Sequence, residues 1–260
     1  MTPTERFVQL VGGPEATLPL DEAALLIAAH ARPELDVAAG LATLDALAER
    51  VGSPTLDALC HHLFVVEGFG GNRGDYYDPE NSYLDRVLER KVGIPIALSV
   101  VVLEVGRRIG VELSGIAMPG HFLVGTTSEP TQYVDAFDGG RRLDAEGCAR
   151  RFAAVTGGQR LDPATLAPVG SRAILARMLA NLGAIARQKR DRDLEGWVLR
   201  LRSAVPSLAP AERRDLATAL ATAGRFDEAA AVFEALADSL GLPEHHEIRR
   251  QSRLLRARLN

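Results

Sequence analysis

His121 and Asp135 are the residues whose types and surroundings best suit acid–base chemistry. His121 lies in Met118-Pro-Gly-His-Phe-Leu123, and Asp135 ends Tyr133-Val-Asp135. The two runs read as neighbouring β-strands separated by a turn, so the side chains can meet across strands. A carboxylate bonded to one imidazole nitrogen orients the ring and leaves the other nitrogen to take a proton from a thiol, a hydroxyl or water. A buried histidine satisfied by a purely structural carboxylate is the alternative.

The run Phe69–Tyr83 supplies a second group of candidates. It is rich in Gly, Asn, Asp and Tyr, and reads as a shaped loop. Its glycines permit positive φ, and its Asn and Asp side chains can close turns on their own backbone. A loop of that length in a compact domain is either a wall of a site or an Ω-loop held by Tyr76 and Tyr77. The thiols are less promising. Cys60 falls in an apolar helical stripe and reads as a small buried hydrophobe. Two cysteines are too few for a disulfide framework, and the lack of a short spacing between Cys60 and Cys148 excludes a zinc knuckle. His61 and His62 are adjacent and point about 100° apart on a helix, so they cannot share a metal. His121, Asp75, Asp78 and Asp135 are the remaining conceivable ligands, without a supporting spacing. No metal and no cofactor are expected.

These residues need elements to hold them. Gly93-Ile-Pro95 opens a helix in which Pro95 suits the first position, its missing N–H having no intrahelical partner there. From Ile96 to Ile109 the helix is apolar on nearly all sides, which marks a buried helix, with Val101, Val105 and Ile109 expected in the core. Glu104, Arg107 and Arg108 come only toward its end, and Gly110 stops it. Strands are expected at Glu112–Met118, Phe122–Gly125 and Gln132–Phe137. Upstream, residues 1–19 read as loosely structured. Asp21 is expected to cap a helix Glu22–Ala31, and Leu41, Leu44, Leu47 and Val51 mark a second helix. A third, from Thr55 to Glu67, should bury Leu56, Leu59, Cys60, Leu63 and Val66. Ser82 is expected to cap a short helix holding Leu84, Val87 and Leu88.

Residues 157–170 read as a Gly/Pro linker, and everything after Ser171 is helical in pattern. Leu182-Gly-Ala-Ile-Ala resembles Leu216-Ala-Thr-Ala-Leu at an offset of 34 residues, as tetratricopeptide units would. The expected organisation is a domain over 1–160 and a helical repeat region over 171–260 that packs on it.

The formal net charge of −4 argues against a nucleic-acid surface. The local basic excess, Arg249, Arg250, Arg253, Arg256 and Arg258, reads as a solvated helix face. No signal peptide or membrane span is visible, and a cytoplasmic location is expected.

A buried helix followed by antiparallel strands is similar to the papain-like and transglutaminase-like arrangement. Five runs carry a closer resemblance: Gly68-Phe-Gly-Gly-Asn72, Tyr77-Asp-Pro-Glu-Asn-Ser-Tyr83, Arg90-Lys-Val-Gly-Ile-Pro-Ile96, Pro119-Gly-His-Phe-Leu123 and Val134-Asp135. Over about residues 35–235 the chain resembles the bacterial SirB-type transglutaminase-like family, whose members often carry C-terminal tetratricopeptide repeats. The resemblance implies an α+β fold: helical N-terminal part, a central buried helix against a small antiparallel sheet, and an all-α tail. It matches His121 to the family histidine and Asp135 to its acidic partner. The position where catalytic relatives carry cysteine falls at or near Pro95, which has no nucleophilic group. Ser99, one turn along, is a weak substitute. Around the pair, Asn72, Tyr77, Asp78, Asn81, Pro95 and Ser99 are the candidate binding residues. Two readings follow: a non-catalytic module that binds a protein or peptide, or a hydrolase or acyltransferase using His121 oriented by Asp135 without a thiol. The oligomeric state is not legible.

Overall fold

The computed structural model describes residues 1–128, 131–206, 208–238 and 244–257. The chain starts with a helix rather than a loose segment. In α1 (Pro3–Gly12), Thr2 accepts from the backbone N–H of Glu5, and the Glu5 carboxylate accepts from the N–H of Thr2. This capping box, with Pro3 at the first position, was written in Thr2-Pro-Thr-Glu5. Phe7, Leu10 and Val11 give the helix a face to bury.

α2 (Leu20–Ala31) begins after Pro19, which makes no side-chain cap. Asp21 is therefore not its N-cap but a buried residue inside its first turn. α3 (Val37–Glu49) is capped by Asp36. α4 (Leu56–Cys60) is capped by Thr55 and passes into a π-helical stretch, His61–Val66. The wider turn shifts the register of the stripe. Leu59 and Leu63 stay buried, while Val65 and Val66 are 70% and 62% exposed, so Val66 leaves the face expected for it.

Two short strands, β1 (Gly70–Gly71) and β2 (Val92–Gly93), pair in parallel and bracket α5 (Leu84–Arg90). The cap position of α5 is Tyr83, with no side-chain bond; Ser82 ends the preceding 3-10 turn instead. α6 (Pro95–Ile109) follows, buried continuously from Pro95 to Gly106. Val101 and Val105 are in the core, whereas Ile109 only packs against its edge. Gly110, at φ 79°, ends the helix in the left-handed conformation that glycine adopts without a Cβ clash.

Among the described residues, β3 (Leu113–Ile116), β4 (Leu123–Thr126), β5 (Tyr133–Asp135), β6 (Arg141–Leu143) and β7 (Pro168–Val169) form a sheet ordered β6-β5-β4-β3-β7, antiparallel throughout. α6 lies against β3 and β4 on one side and against α3 and α5 on others. α7 (Ala145–Thr156) follows β6. The expected linker thus contributes β7 to the sheet. The fold is α+β, as the sequence pattern implies.

The end of α6 meets charge rather than water. Arg108 reaches Asp21 at 2.7 Å and Asp45 at 2.6 Å, and Arg107 reaches Glu104 at 2.8 Å. Asp21 and Glu104 are 3% and 4% exposed. Burial alone would raise the Asp21 pKa, but Arg108 and the Glu22 N–H hold it below its ordinary value. Burial, reinforced by the charge of Asp21, pushes Glu104 up.

The tail comprises α8 (Ser171–Lys189), α9 (Arg192–Ala204), α10 (Pro210–Thr222), α11 (Phe226–Asp238) and α12 (Glu244–Arg256), neighbours in sequence packing on one another. α8 also packs on α2 and α6, and α9 on α1. The basic residues of α12 are largely paired: Arg249 with Asp238, Arg256 with Glu234 and Asp227. Arg258 lies outside the described residues.

Two outcomes follow from this packing. Val101→Ala should cost about 1–3 kcal/mol in denaturant unfolding, through lost burial and a residual cavity; no change would mean the helix is not the core. Ile174, Leu175, Met178 and Leu179 belong to the same apolar cluster as α2 and α6. A fragment of residues 171–260 should therefore show no cooperative melting, and a sharp independent transition would contradict the shared core.

Candidate functional site

His121 does not lie on a strand. It follows Gly120 (φ 74°) in the turn before β4, its N–H bonded to the carbonyl of Met118 at 3.0 Å. Asp135 is the last residue of β5, and β5 pairs with β4. This brings His121 Nε2 to 2.9 Å from Asp135 Oδ1, both side chains buried. Nδ1 of His121 has no protein partner among the described residues.

Asp135 is held in turn. Arg151 of α7 places Nη2 2.7 Å from Asp135 Oδ2, an ion-pair distance without hydrogen-bond alignment, and donates to Asp138 Oδ2 at 2.6 Å. Arg73, from the loop, donates to Asp138 Oδ1 at 2.5 Å. The Asp138 N–H donates to Asp135 Oδ1 at 3.1 Å. Arg73 also lies 5.3 Å above the ring of Phe137, whose edge-to-face partners are Tyr76 and His121. A side chain at Gly71 would collide with that ring, so glycine there lets Phe137 close over the backbone.

The candidate loop residues are mostly occupied with the loop itself. Asn72 Nδ2 donates to Asn81 Oδ1 at 3.0 Å, and its Oδ1 accepts from the Asp75 N–H at 3.1 Å. Asn81, fully buried, donates to the carbonyl of Asp75, and its own carbonyl accepts from the Ile94 N–H at 3.1 Å. The two asparagines thus tie the loop to the start of α6. Asp78 caps the turn Pro79–Asn81 and pairs with Arg90 at 2.9 Å. Tyr77 is 54% exposed and packs edge-on against Tyr76. Ser99 donates its hydroxyl to the Pro95 carbonyl at 2.8 Å, a bond inside the helix. His121, Asp75, Asp78 and Asp135 do not form a metal set: among the described residues no three such side chains are placed to hold an ion.

Pro95 and His121 line one small cavity of about 110 Å³, together with Tyr76, Ile96, Arg177 and Asn181. Arg177 and Asn181 come from α8, so the tail completes this cavity. Arg177 donates to the carbonyls of Ala117, Met118 and His121 at 3.4, 3.0 and 3.3 Å, holding the turn that carries the histidine. Burial pulls its pKa below the ordinary guanidinium value. Sequence reading missed Arg151, Arg177 and Asn181. Arg177 had a signal: it is the one charge in Ile174-Leu-Ala-Arg-Met-Leu179. Arg151, one of two adjacent arginines on an amphipathic helix, had none.

Neither cysteine approaches the cavity. Cys148 is sealed among Ile116, Met118, Leu123 and Phe152, and burial, with Asp144 and Asp135, pushes its thiol up to about 12. Burial also raises Cys60. Burial keeps the Tyr76 phenol protonated by raising its pKa.

The sequence profile of the Transglutaminase-like superfamily matches residues 29–180. A "UPF0162 protein" of Xylella fastidiosa (strain Temecula1) is 39% identical over 185 residues, 66% of this chain and 66% of that protein's length. F-box only protein 21 of Homo sapiens is 34% identical over 146 residues, 53% of this chain but 22% of that protein. A crystal structure of menin aligns with TM-score 0.46 and 12% identity, over 96% of this chain and 73% of that one, a likeness too slight to carry an argument.

Asp138 gives the network a pH signature. Burial alone would raise its pKa, but Arg151 and Arg73 outweigh it and hold the carboxyl below its ordinary 3.8. The folded value is the lower one, so the ionised group contributes stability above 3.8 that is lost as pH falls through the folded value. Asp138→Asn should therefore lower the denaturant midpoint near neutral pH, with the gap from the unmodified chain narrowing in acid. A gap independent of pH would remove the charge from the explanation.

Proposed function

The chain belongs to the transglutaminase-like superfamily, and from that premise we propose that it is a non-catalytic member that binds a protein or peptide. One observation carries this reading. The first-turn positions of α6 that share a cavity with His121 are Pro95 and Ile96, and among the described residues no thiol or aliphatic hydroxyl lines that cavity. In the chemistry such a site would otherwise support, a thiol at the helix start is ionised by the helix dipole and the adjacent imidazole, then attacks a carbonyl. A pyrrolidine ring cannot attack. The two thiols present are buried elsewhere with raised pKa values, and the Tyr76 phenol is protonated. The cavity is also small beside the roughly 300–1,000 Å³ typical of pockets that enclose a ligand.

Within the superfamily we assign the chain to the SirB-type members with a tetratricopeptide-like tail. The motif runs and the 34-residue offset in the tail support this. Stacked helical hairpins offer an extended face to a polypeptide. Among the described residues no helix is long and apolar enough to cross a membrane, and both cysteines are free; we infer a cytoplasmic location.

The second reading, a hydrolase or acyltransferase, is favoured by Nδ1 of His121. Asp135 occupies Nε2, so the remaining nitrogen is free to accept a proton from water or a substrate hydroxyl. The two readings separate in one comparison. The tagged chain and its His121→Ala variant are assayed on acyl substrates, and retained partners are identified. The binding module predicts a retained partner and no turnover; turnover that His121→Ala abolishes would overturn it.

Restoring the missing group is a direct check on the position. Pro95→Cys should be tolerated, since proline there contributes mainly preset geometry. The introduced thiol should have a pKa below the free value of about 8.5 and label with iodoacetamide faster than Cys60 or Cys148 at neutral pH. Adding His121→Ala should raise that pKa. Ordinary reactivity, unaffected by His121, would mean Pro95 does not stand in the nucleophile's place.

A further inference from the structure

The cavity beside His121 presents hydrogen-bond donors and no carboxylate. The first turn of α6 has no side-chain cap, and the N–H groups of Ile96 and Ala97 have no acceptor among the described residues. Unmatched first-turn N–H groups carry the positive end of the helix dipole, about half a unit charge. Arg177 makes three of the five bonds that a guanidinium can donate, all to backbone carbonyls, and has no ion pair among the described residues. Asn181 adds an amide to the same lining. His121 is 6% exposed, with Nδ1 unpartnered. This buried, half-satisfied ring is the observation beyond the helix end that points to a ligand.

Resting on the non-catalytic binding reading, we infer that this cavity takes a carboxylate of a partner polypeptide, held by Arg177, the first-turn N–H groups of α6 and the ring of His121. The charge on the protein side is one guanidinium plus a helix end, which matches a monoanion better than a phosphate dianion. The volume of about 110 Å³ suits a carboxylate and the carbon that bears it, with the rest of the partner outside. Arg–carboxylate bonds are among the stronger polar contacts available. For Nδ1 to donate to an anion while Asp135 holds Nε2, the imidazole must take up one proton from solvent. The other titratable groups around the ring are Asp135 of β5, Arg151 of α7, Arg177 of α8 and Tyr76 of the loop. Burial raises the Tyr76 pKa and keeps the phenol neutral.

The test is a titration of the isotopically labelled full chain by NMR. The probes are N-acetylglycine, its neutral amide, and N-acetylglutamic acid α-amide. The two acids should give saturable shifts at the amides of Ile96 and Ala97 and at the His121 ring nitrogens. The neutral amide should give none. Which acid binds better distinguishes a chain-terminal carboxylate from an acidic side chain. Arg177→Gln should weaken both by roughly tenfold or more. Because Arg177 also holds the turn at His121, Asn181→Asp is the second variant: it adds a negative charge to the cavity without touching those bonds, and should weaken both acids likewise. Equal shifts from the neutral amide, shifts that map elsewhere, or unchanged affinity in Asn181→Asp would overturn the inference. A partner retained as well by Asn181→Asp as by the unmodified chain would overturn the carboxylate while leaving the binding module standing. Acyl turnover abolished by His121→Ala would instead remove the binding module itself.

Discussion

Burying α6 on every side is the constraint from which the rest of this structure follows. A helix buried continuously from Pro95 to Gly106 must satisfy most of its end groups with protein rather than water. The two ends are treated differently. At the C-terminal end, Gly110 turns the chain in the left-handed region, and Arg107 and Arg108 reach the buried carboxylates Asp21 and Glu104. Cations at a helix C-terminus are favoured by the dipole, and here they also neutralise acids that burial would otherwise penalise. At the N-terminal end the chain supplies a proline, which removes one unmatched donor, and among the described residues no acceptor for the next two.

That unfilled end is where the other elements converge. The loop is pinned to the start of α6 by Asn72 and Asn81. The sheet delivers His121 and Asp135 through the pairing of β4 with β5. α7 contributes Arg151, which keeps Asp135 charged-paired, and α8 contributes Arg177, which holds the histidine turn from the other side. Removing the tail would therefore open the cavity as well as the core. The site is a joint product of the sheet domain and the helical region that follows it, so binding and stability are coupled there.

Much of this was legible in the sequence, for local reasons. The all-round apolar run predicts a buried helix whatever surrounds it. Gly110 and Pro95 act within one turn. The aromatic and β-branched run Tyr133-Val134 predicts a strand, and the few residues between it and Phe122–Gly125 leave few ways for His121 to lie far from Asp135. Some local signals were present but overlooked: Thr2-Pro-Thr-Glu5 is a capping box, and it builds a helix where the glycines and prolines nearby suggest looseness. The π-helical stretch is different. Its register shift takes Val66 off the apolar face and leaves no mark in the 3–4 spacing of the apolar residues.

The sequence by itself determined the α+β order, the central helix, the histidine–aspartate pair and the absence of a thiol at Pro95. These rest on periodicity, capping and residue identity, each set by contacts a few positions apart. Only the tertiary structure decided what surrounds them. Asp21 reads as a helix cap and is instead the buried partner of Arg108, 87 residues away. Asn72 and Asp78 read as binding residues and are bonded within the loop and to Arg90. Arg177 reads as a stray charge in an apolar helix and closes the cavity from 56 residues beyond His121. The physical reason is common to all three. A charged or amide side chain has no preferred partner in one dimension; its partner is whatever unsatisfied group the packed chain brings within hydrogen-bonding distance.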